Sequence, residues 1–439
     1  MRKVLKFGGS SMASAEQFAK VKSIVEYDGS PRVVVVSAAG KRSKDDHKIT
    51  DLLYLCYAHM KYGVSFDSVF GMIEERYLQI KRELGLQTDI ESGLNALREK
   101  MRHGISEDEL VSRGEYFSAR LMADYLGYPF IDAAAWLKFN LDATVDKPAS
   151  YAALKELVGD GCAVIPGFYG VMPDGSIKTF SRGGSDITGA LVAAALDADV
   201  YENWTDVSGI LMADPRIVEN PETIERITYT ELRELSYLGA QVLHEETVFP
   251  VLEKNIPLNI RNTNDPAHPG TVIMENFTNE SPDSDRRFIT GIAGRKDYSI
   301  VTISKRGFSS EVGIQRRVLE ILEKHSVSVE YMPNGIDTIS LVIPSKCKGD
   351  PIFAVLRDLQ ETFHPDSLEV VENIAIVAAV GRKMAFRPGI SGKIFAALGE
   401  NGINIRMISQ GPQEVNIIVG VDDQDYAGTV RVLYDSFVR

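Results

Sequence analysis

Lys6-Phe7-Gly8-Gly9-Ser10-Ser11, preceded by the apolar pair Val4-Leu5, reads as a strand that ends in a lysine and breaks through two glycines into a helix start. Glycines let a polyanion approach the backbone, the unpaired N–H groups of a helix start bind phosphate, and a lysine at a strand end supplies charge. Taken alone, such a stretch is more often a plain turn, so its surroundings decide. Short β-branched runs at residues 4–7, 33–37, 163–168, 200–204 and 258–261 alternate with helical patterns at 15–26, 112–126 and 186–196. This βα alternation, up to about residue 275, predicts a largely parallel sheet covered by helices on both faces, with ligands bound outside the carboxyl ends of its strands.

Two further turns are expected to open on the same sheet edge. Ser181-Arg182-Gly183-Gly184-Ser185-Asp186 stands at the mouth of an Ala-rich helix; an arginine beside two glycines can fork onto a carboxylate or phosphate, and Asp186 reads equally as an N-cap. Thr205-Asp206-Val207-Ser208-Gly209, with Ala213-Asp214-Pro215-Arg216 beyond, follows a strand and by itself reads as surface turns. Ser112-Arg113-Gly114-Glu115 opens a helix after a polar stretch. A first-turn glutamate usually only complements the helix dipole, but it can also hold a substrate ammonium group.

Composition narrows the functional classes. At roughly 150 residues per domain, 439 residues suggest about three domains, and 44% hydrophobic residues allow a sizeable core. A net charge of −13 without a long basic run leaves no electrostatic footprint for nucleic acid or anionic lipid. Cys56, Cys162 and Cys347 are scattered and form no CxxC pair, which fits a reducing compartment and packing roles. The N-terminal apolar stretch is too short for a signal sequence and no run approaches a membrane span, so a soluble, cytoplasmic chain is expected. Gly389-Ile390-Ser391-Gly392-Lys393 lacks the spacing and following hydroxyl of a P-loop, and His244-Glu245-Glu246 lacks the second histidine of a zinc protease. The remaining histidines show no metal-ligand spacing.

The polar, turn-rich stretch 275–287 marks a domain boundary, and an internal repeat follows it. Residues 299–343 align without gaps on 375–419, so that Gly313 meets Gly389, Leu322 meets Leu398, Val329 meets Ile405 and Gly335 meets Gly411. Each copy reads as strand, glycine turn, helix, strand, turn, strand. The first copy continues through a helix near 352–362 and a strand near 367–371, whereas the second ends on a helix near 427–437. Because an unpaired sheet edge is unfavourable, the strand missing from the second copy is expected upstream in Phe288-Ile289-Thr290-Gly291-Ile292-Ala293-Gly294, so that the first module is inserted in the second.

Together and in this order, the motifs resemble the aspartate kinase branch of the amino-acid kinase family. KFGGSS is similar to its N-terminal KFGG(T/S)S, the stretch from Ser37 to Thr50-Asp51-Leu52-Leu53 to its SA…TNLL segment, and SRGEYFSA to its SxGExxSA. SRGGSD and WTDVSGILMADPR resemble its RGGSD and WTDVxG…DPR, and the repeats resemble paired ACT domains. The resemblance covers nearly the whole chain. It implies a three-layer αβα amino-acid kinase fold over residues 1–280, then two nested ferredoxin-like βαββαβ ACT domains, the first at 299–371 and the second at 288–298 with 372–439.

The implied activity is that of a phosphotransferase with a carboxyl acceptor. It moves the ATP γ-phosphoryl group to the β-carboxylate of L-aspartate, the first step from aspartate to lysine, threonine and methionine. By position in the motifs, Lys6 with the Gly8 and Gly9 N–H groups would meet the transferring phosphoryl, and Asp186 would orient Lys6 by an ion pair. Phe7, Ser10, Thr205, Asp206, Leu211, Arg216 and Gln241 would complete the ATP site, while Ser37, Thr50, Glu115, Phe168 and Arg182 would bind aspartate. Mg²⁺ is expected through ATP oxygens rather than protein ligands. Gly313, Gln315, Ser328 and Glu330 would line an effector site for an end-product amino acid. With no homoserine dehydrogenase segment in the chain, lysine is the expected effector, and paired ACT modules imply a homodimer or dimer of dimers.

The sequence departs from the family pattern at Leu211, where a tyrosine is usual, at Gln241, where a lysine is usual, and in the longer charged loop Gly40-Lys41-Arg42-Ser43-Lys44-Asp45-Asp46. A sister kinase acting on glutamate or N-acetylglutamate would share the glycine turns but not SRGE, WTDV and nested ACT modules together. A non-catalytic amino-acid sensor would be expected to have lost Lys6, Arg182 or Asp186, all of which are present.

Overall fold

The computed structural model describes residues 1–27, 29–30, 32–181, 183–239, 247–277, 289–345, 351–382, 384, 388–410 and 415–438. They divide into two compact units. One comprises Met1–Ile210, Thr223–Thr228 and Val242–Phe277, the other Leu211–Glu222, Tyr229–Gln241 and Thr278–Arg439.

The first unit holds strands β1 (Lys3–Phe7), β2 (Arg32–Val36), β3 (Ala163–Pro166), β4 (Tyr169–Val171), β5 (Ile177–Thr179), β6 (Val200–Thr205), β7 (Arg226–Thr228), β8 (Leu258–Asn262) and β9 (Thr271–Met274). Seven of them form one sheet in the order β3-β2-β1-β6-β8-β9-β7, and β4 and β5 make a separate hairpin. Pairing is parallel from β3 to β8, antiparallel between β8 and β9, and parallel again between β9 and β7. Every residue of β2 is buried, as expected for a valine-rich parallel strand covered on both faces.

The two faces are covered by different helices. Leu5, Phe7, Val34 and Val36 project into a core with Phe18, Leu53, Phe70, Tyr77 and Phe117 from helices Ala15–Val25, Ile49–Lys61, Asp67–Leu84 and Glu107–Leu126. The other face carries helix Gly184–Ala195, which packs on β1, β2 and β6. Every residue of that helix is buried except Asp186. Among the described residues, no helix is long and apolar enough to cross a membrane.

Two local expectations are corrected. Helix Glu107–Leu126 begins five residues before Ser112, because the Ser106 side chain accepts the Glu109 N–H and an acidic first turn follows. Glu115 therefore sits in the helix interior rather than its first turn. The Arg182 turn follows the β4/β5 hairpin rather than a strand of the main sheet, since β3 stops at Pro166 and Phe168 takes φ +81°. The turn after β6 leads into no helix. Most of the expected linker, from residue 278 on, lies outside the described residues.

In the second unit, β10 (Gly291–Ser304), β11 (Thr338–Pro344), β12 (Ser367–Val380), β13 (Ile405–Ser409) and β14 (Asn416–Asp422) form an antiparallel sheet in the order β11-β10-β12-β14-β13. Strands β10 and β12 are each 14 residues long and break register between Arg295 and Tyr298. The first half of β10, Gly291 to Arg295, pairs with Val380 to Ile376, beside β14. Its second half pairs with β11 and the start of β12.

Helices Ile314–Lys324 and Ile390–Glu400 are both N-capped by a left-handed glycine, Gly313 at φ +82° and Gly389 at φ +91°, so the repeat preserves backbone geometry there. The copies differ at the strand after the helix. The second has β13, whereas the first has only isolated bridges, Tyr331 to Val342 and Asn334 to Ile339, where Pro333 removes a ladder donor.

Phe363 is 1% exposed and meets the Phe308 ring edge-on at 6.0 Å. We expect Phe363→Ala to destabilise the second unit by about 3–5 kcal/mol, read from its denaturant unfolding transition. A loss below about 1 kcal/mol would mean that this aromatic pair does not anchor the helical layer.

Candidate active site

Because β1 and β6 run parallel in register, Lys6 lies beside Asn203 and Phe7 beside Trp204. The chain then turns at Gly8, whose N–H donates to the Trp204 carbonyl at 2.9 Å. This corrects the expectation that the Gly8 N–H serves phosphate, since the sheet edge already holds it. A Cβ at Gly8 would lie 3.6 Å from Lys6 Nζ, so the missing side chain keeps the ammonium approachable. Gly9 opens a single 3-10 turn that includes Ser10, and Ser11 is tied to Thr263 by a 2.8 Å hydroxyl contact.

A second loop lies directly on this turn. The Ser37 N–H donates to the Phe7 carbonyl at 3.1 Å and the Gly40 N–H to the Gly9 carbonyl at 2.7 Å. A Cβ on Gly40 would come within 2.6 Å of the Gly9 backbone, so a glycine is required for this approach. The loop is pinned from behind by Arg76, a buried guanidinium that donates to the Gly40 carbonyl at 2.8 Å and to both Asp46 oxygens at 2.7 Å. Burial alone would raise the Asp46 pKa, but hydrogen bonds from Arg42, the His47 N–H and the Arg76 charge hold it well below the usual carboxylate range. Thr50 stands half-buried at the start of helix Ile49–Lys61, whose first N–H donates to the Ala39 carbonyl at 3.0 Å.

From the other side of β1, the Asp186 carboxylate meets Lys6, with Nζ to Oδ1 at 2.6 Å. The lysine side chain is 8% exposed and the aspartate 22%, so a nearly buried cation faces a partner at the edge of solvent. Gly183, in the left-handed region at φ +57°, caps the helix and places Asp186 in its first turn, which corrects its reading as the N-cap. Arg182 lies outside the described residues.

Glu115 is buried on helix Glu107–Leu126, and its Oε2 finds no partner among the described residues. Desolvation pushes its pKa up to about 8, against the opposing pull of the Ala38 N–H and of the Lys6 and Arg113 charges. Helix and loop can meet this closely because residue 114 is glycine, where a Cβ would lie 2.8 Å from that of Ala38. Phe168 is held in its left-handed conformation by two hydrogen bonds. Its N–H donates to Thr188 Oγ1 at 3.0 Å, and its carbonyl accepts the Phe180 N–H at 3.0 Å. Backbone strain of this kind concentrates at functional sites.

The first unit thus gathers Lys6, Gly8, Gly9, Ser37, Glu115 and Asp186 about the carboxyl edge of β1 and β2. Thr205 ends β6, where its carbonyl accepts the Thr263 N–H at 2.9 Å, and Asp206 follows it, exposed. Leu211 and Arg216 belong to the second unit. There the Arg216 guanidinium pairs with Asp214 at 2.7 Å, and Gln241 lies outside the described residues.

The expected effector residues are split. Gly313 and Gln315 line a cavity of about 440 Å³ with Phe308, Asn334 and Thr338, and Ser328 is not part of that lining. The Glu330 carboxylate instead accepts a hydrogen bond from the Tyr237 hydroxyl. Sequence reading missed Arg76 and Asn203. Arg76 shares the buried helical face of Val69, Phe70, Ile73 and Ile80, so a charge on an apolar stripe was the available signal. Asn203 is the corresponding polar interruption in β6.

Comparison with known proteins identifies the family. Residues 1–262 match the amino acid kinase family and 377–437 an ACT domain. Aspartokinase 3 of Bacillus subtilis is 36% identical over 451 residues, covering 99% of this chain and 98% of that protein. The crystal structure of Clostridium acetobutylicum aspartate kinase superposes with a TM-score of 0.92 at 48% identity, covering 99% of this chain and 100% of that one. Escherichia coli aspartokinase III, 27% identical, was solved with aspartate and ADP (TM-score 0.72, all of both chains) and with lysine and aspartate (TM-score 0.73, 100% and 99%).

Glu115 also makes stability depend on pH. Its folded pKa, about 8, is above the ordinary 4.5, so the folded protein keeps a proton that the unfolded chain releases. This contribution is complete below about 4.5 and declines as pH rises through about 8. We expect Glu115→Gln to flatten that decline in thermal unfolding between pH 5 and 9 (roughly the window the linkage defines). An unchanged slope would place the carboxyl in contact with solvent.

Proposed function

On the premise that the chain belongs to the amino acid kinase family and, within it, to the aspartokinases, kinases that act on aspartate, we propose that it transfers the ATP γ-phosphoryl group to the β-carboxylate of L-aspartate, giving 4-phospho-L-aspartate. The observation that carries this reading is that one sheet edge holds both a nearly buried cation, Lys6, paired with Asp186, and a buried carboxyl, Glu115, which feels the Lys6 charge and whose Oε2 has no hydrogen-bond partner among the described residues. One suits a phosphoryl group between two anions, and the other suits the ammonium of an amino acid.

A carboxylate with a pKa of about 3.9 is ionised at neutral pH, so the acceptor needs no general base. What remains is to position two anions and neutralise the phosphoryl oxygens. Lys6 and the Gly9 N–H receive those oxygens, while Asp186 holds Lys6 in place. Glu115 takes the substrate ammonium, Arg182 a substrate carboxylate, and Ser37, Thr50 and Phe168 wall the pocket. Ser10, Phe7, Thr205, Asp206, Leu211, Arg216 and Gln241 are assigned to the nucleotide. Mg²⁺ comes with ATP and supplies charge neutralisation on its oxygens. Among the described residues, no group of three or more His, Cys, Asp or Glu is arranged to hold a metal ion.

In the same reading, residues 1–280 form the kinase domain, 299–371 the first ACT module, and 288–298 with 372–439 the second. The strand exchange between β10 and β12 supports that nesting. The complex of E. coli aspartokinase III with lysine supports lysine as effector, bound near Gly313, Gln315, Ser328 and Glu330. We place the enzyme in the cytoplasm as a homodimer, or a dimer of dimers, paired through its ACT modules.

Trapping acyl phosphate with hydroxylamine is expected to give hydroxamate with L-aspartate and MgATP but not with L-glutamate or N-acetylglutamate, and lysine should suppress it. Lys6→Ala is expected to cut turnover by at least about a hundredfold with little change in folding; near-normal turnover would sink the assignment. Because Glu115 must be ionised to hold an ammonium, KM for aspartate should fall as pH rises toward about 8. A flat profile would move the ammonium elsewhere.

A further inference from the structure

Asn203 is 3% exposed in the middle of β6, with tryptophan on one side and glutamate on the other. It is the register partner of Lys6, so the two side chains leave neighbouring parallel strands on the same face, beneath the first turn of helix Gly184–Ala195. Its Nδ2 donates to Asp186 Oδ1 at 3.0 Å, the same oxygen that Lys6 Nζ meets at 2.6 Å. Its own Oδ1 finds no hydrogen-bond partner among the described residues. A buried amide with an orphaned oxygen is costly, which argues that its donor has a specific use.

Two residues earlier on the same strand face, the Tyr201 hydroxyl donates to the Asp186 backbone carbonyl at 3.0 Å. Gly189, one turn along the helix, is the residue that lets this ring in, since a Cβ there would sit 2.4 Å from the hydroxyl. Strand β6 therefore fixes Asp186 twice, by its main chain through Tyr201 and by its side chain through Asn203.

From this we infer that Asn203 is a positioning residue for phosphoryl transfer, acting through Asp186 on Lys6; the inference rests on the roles proposed above for that pair. A lysine ammonium has three N–H donors, and a freely rotating carboxylate 2.6 Å away would draw it into a two-oxygen contact. With Oδ1 shared between the amide and the ammonium, the carboxylate is held against rotation. Lys6 is then kept on one oxygen, with its other donors directed to the anionic oxygens that arrive with substrate.

The test is steady-state kinetics on the full-length enzyme with MgATP and L-aspartate, for Asn203→Leu, which keeps the volume, and Asn203→Ser, a smaller variant in case leucine does not fold. Asp186→Asn, each double variant and Lys6→Met complete the set. The expected result is a kcat about tenfold or more below wild type, with KM for both substrates within about threefold and an unchanged thermal midpoint. In the Asp186→Asn background, loss of Asn203 should have little further effect, because both changes remove the same constraint. A kcat within about twofold of wild type, or full additivity with Asp186→Asn, would overturn the positioning role. If Lys6→Met alone kept near-normal turnover, the reading of the site itself would fail and the positioning role would fall with it, an outcome distinct from a silent Asn203 variant beside an inactive Lys6→Met.

Discussion

A cation that has lost its water is the constraint around which the kinase unit is arranged. Lys6 lies in an interior strand of the parallel part of the sheet with its side chain 8% exposed, where an unpaired ammonium would be strongly unfavourable. Asp186 compensates that charge, and the location of Asp186 explains much else. The helix that carries it is buried at every other position, an Ala-rich element able to lie flat on β1, β2 and β6. Its entry needs a left-handed residue, supplied by Gly183, and its height above the sheet is set where Gly189 admits the Tyr201 ring.

Across the sheet edge, the problem is proximity rather than charge. Three chain segments converge at the carboxyl ends of β1 and β2, and each approach is closer than a side chain would allow. Gly40 lies on the Gly9 backbone, and Gly114 brings the Glu115 helix against Ala38. Such closeness excludes water, and its consequence is visible in Glu115, whose carboxyl is pushed up to about 8 mainly by desolvation. The charged loop from Gly40 to Asp46 is ordered for a related reason. The buried Arg76 needs a carboxylate, Asp46 supplies it, and the Gly40 carbonyl takes a further guanidinium donor.

The second unit meets a different demand, one antiparallel sheet shared by two repeat copies. Two 14-residue strands run through it: the first half of β10 pairs with the end of β12 beside β14, the second half with β11 and the start of β12, and a register break marks the change. The repeated glycine N-caps show what duplication preserved, and the stretch about Pro333 shows what it did not.

Much of this was legible along the chain because it depends on local chemistry. Valine runs alternating with amphipathic stretches fix strands and helices, glycines with positive φ fix turns, and a gapless repeat fixes the module count. The lysine, the glycine pairs and the acidic residues that could matter were likewise visible as residue types in order. What the linear sequence could not show is which groups share an oxygen or lose their water. That Glu115 lies inside a helix rather than at its start, that the Gly8 N–H belongs to the sheet, and that Asn203 and Lys6 converge on one Asp186 oxygen all follow from strand register and helix packing. The sequence by itself determined the kinds of element and the chemical inventory, because these follow from neighbours along the chain. The tertiary structure decided ionisation, reach and partnership, because desolvation and hydrogen bonding are set by groups brought together from as far apart as Lys6 and Asp186.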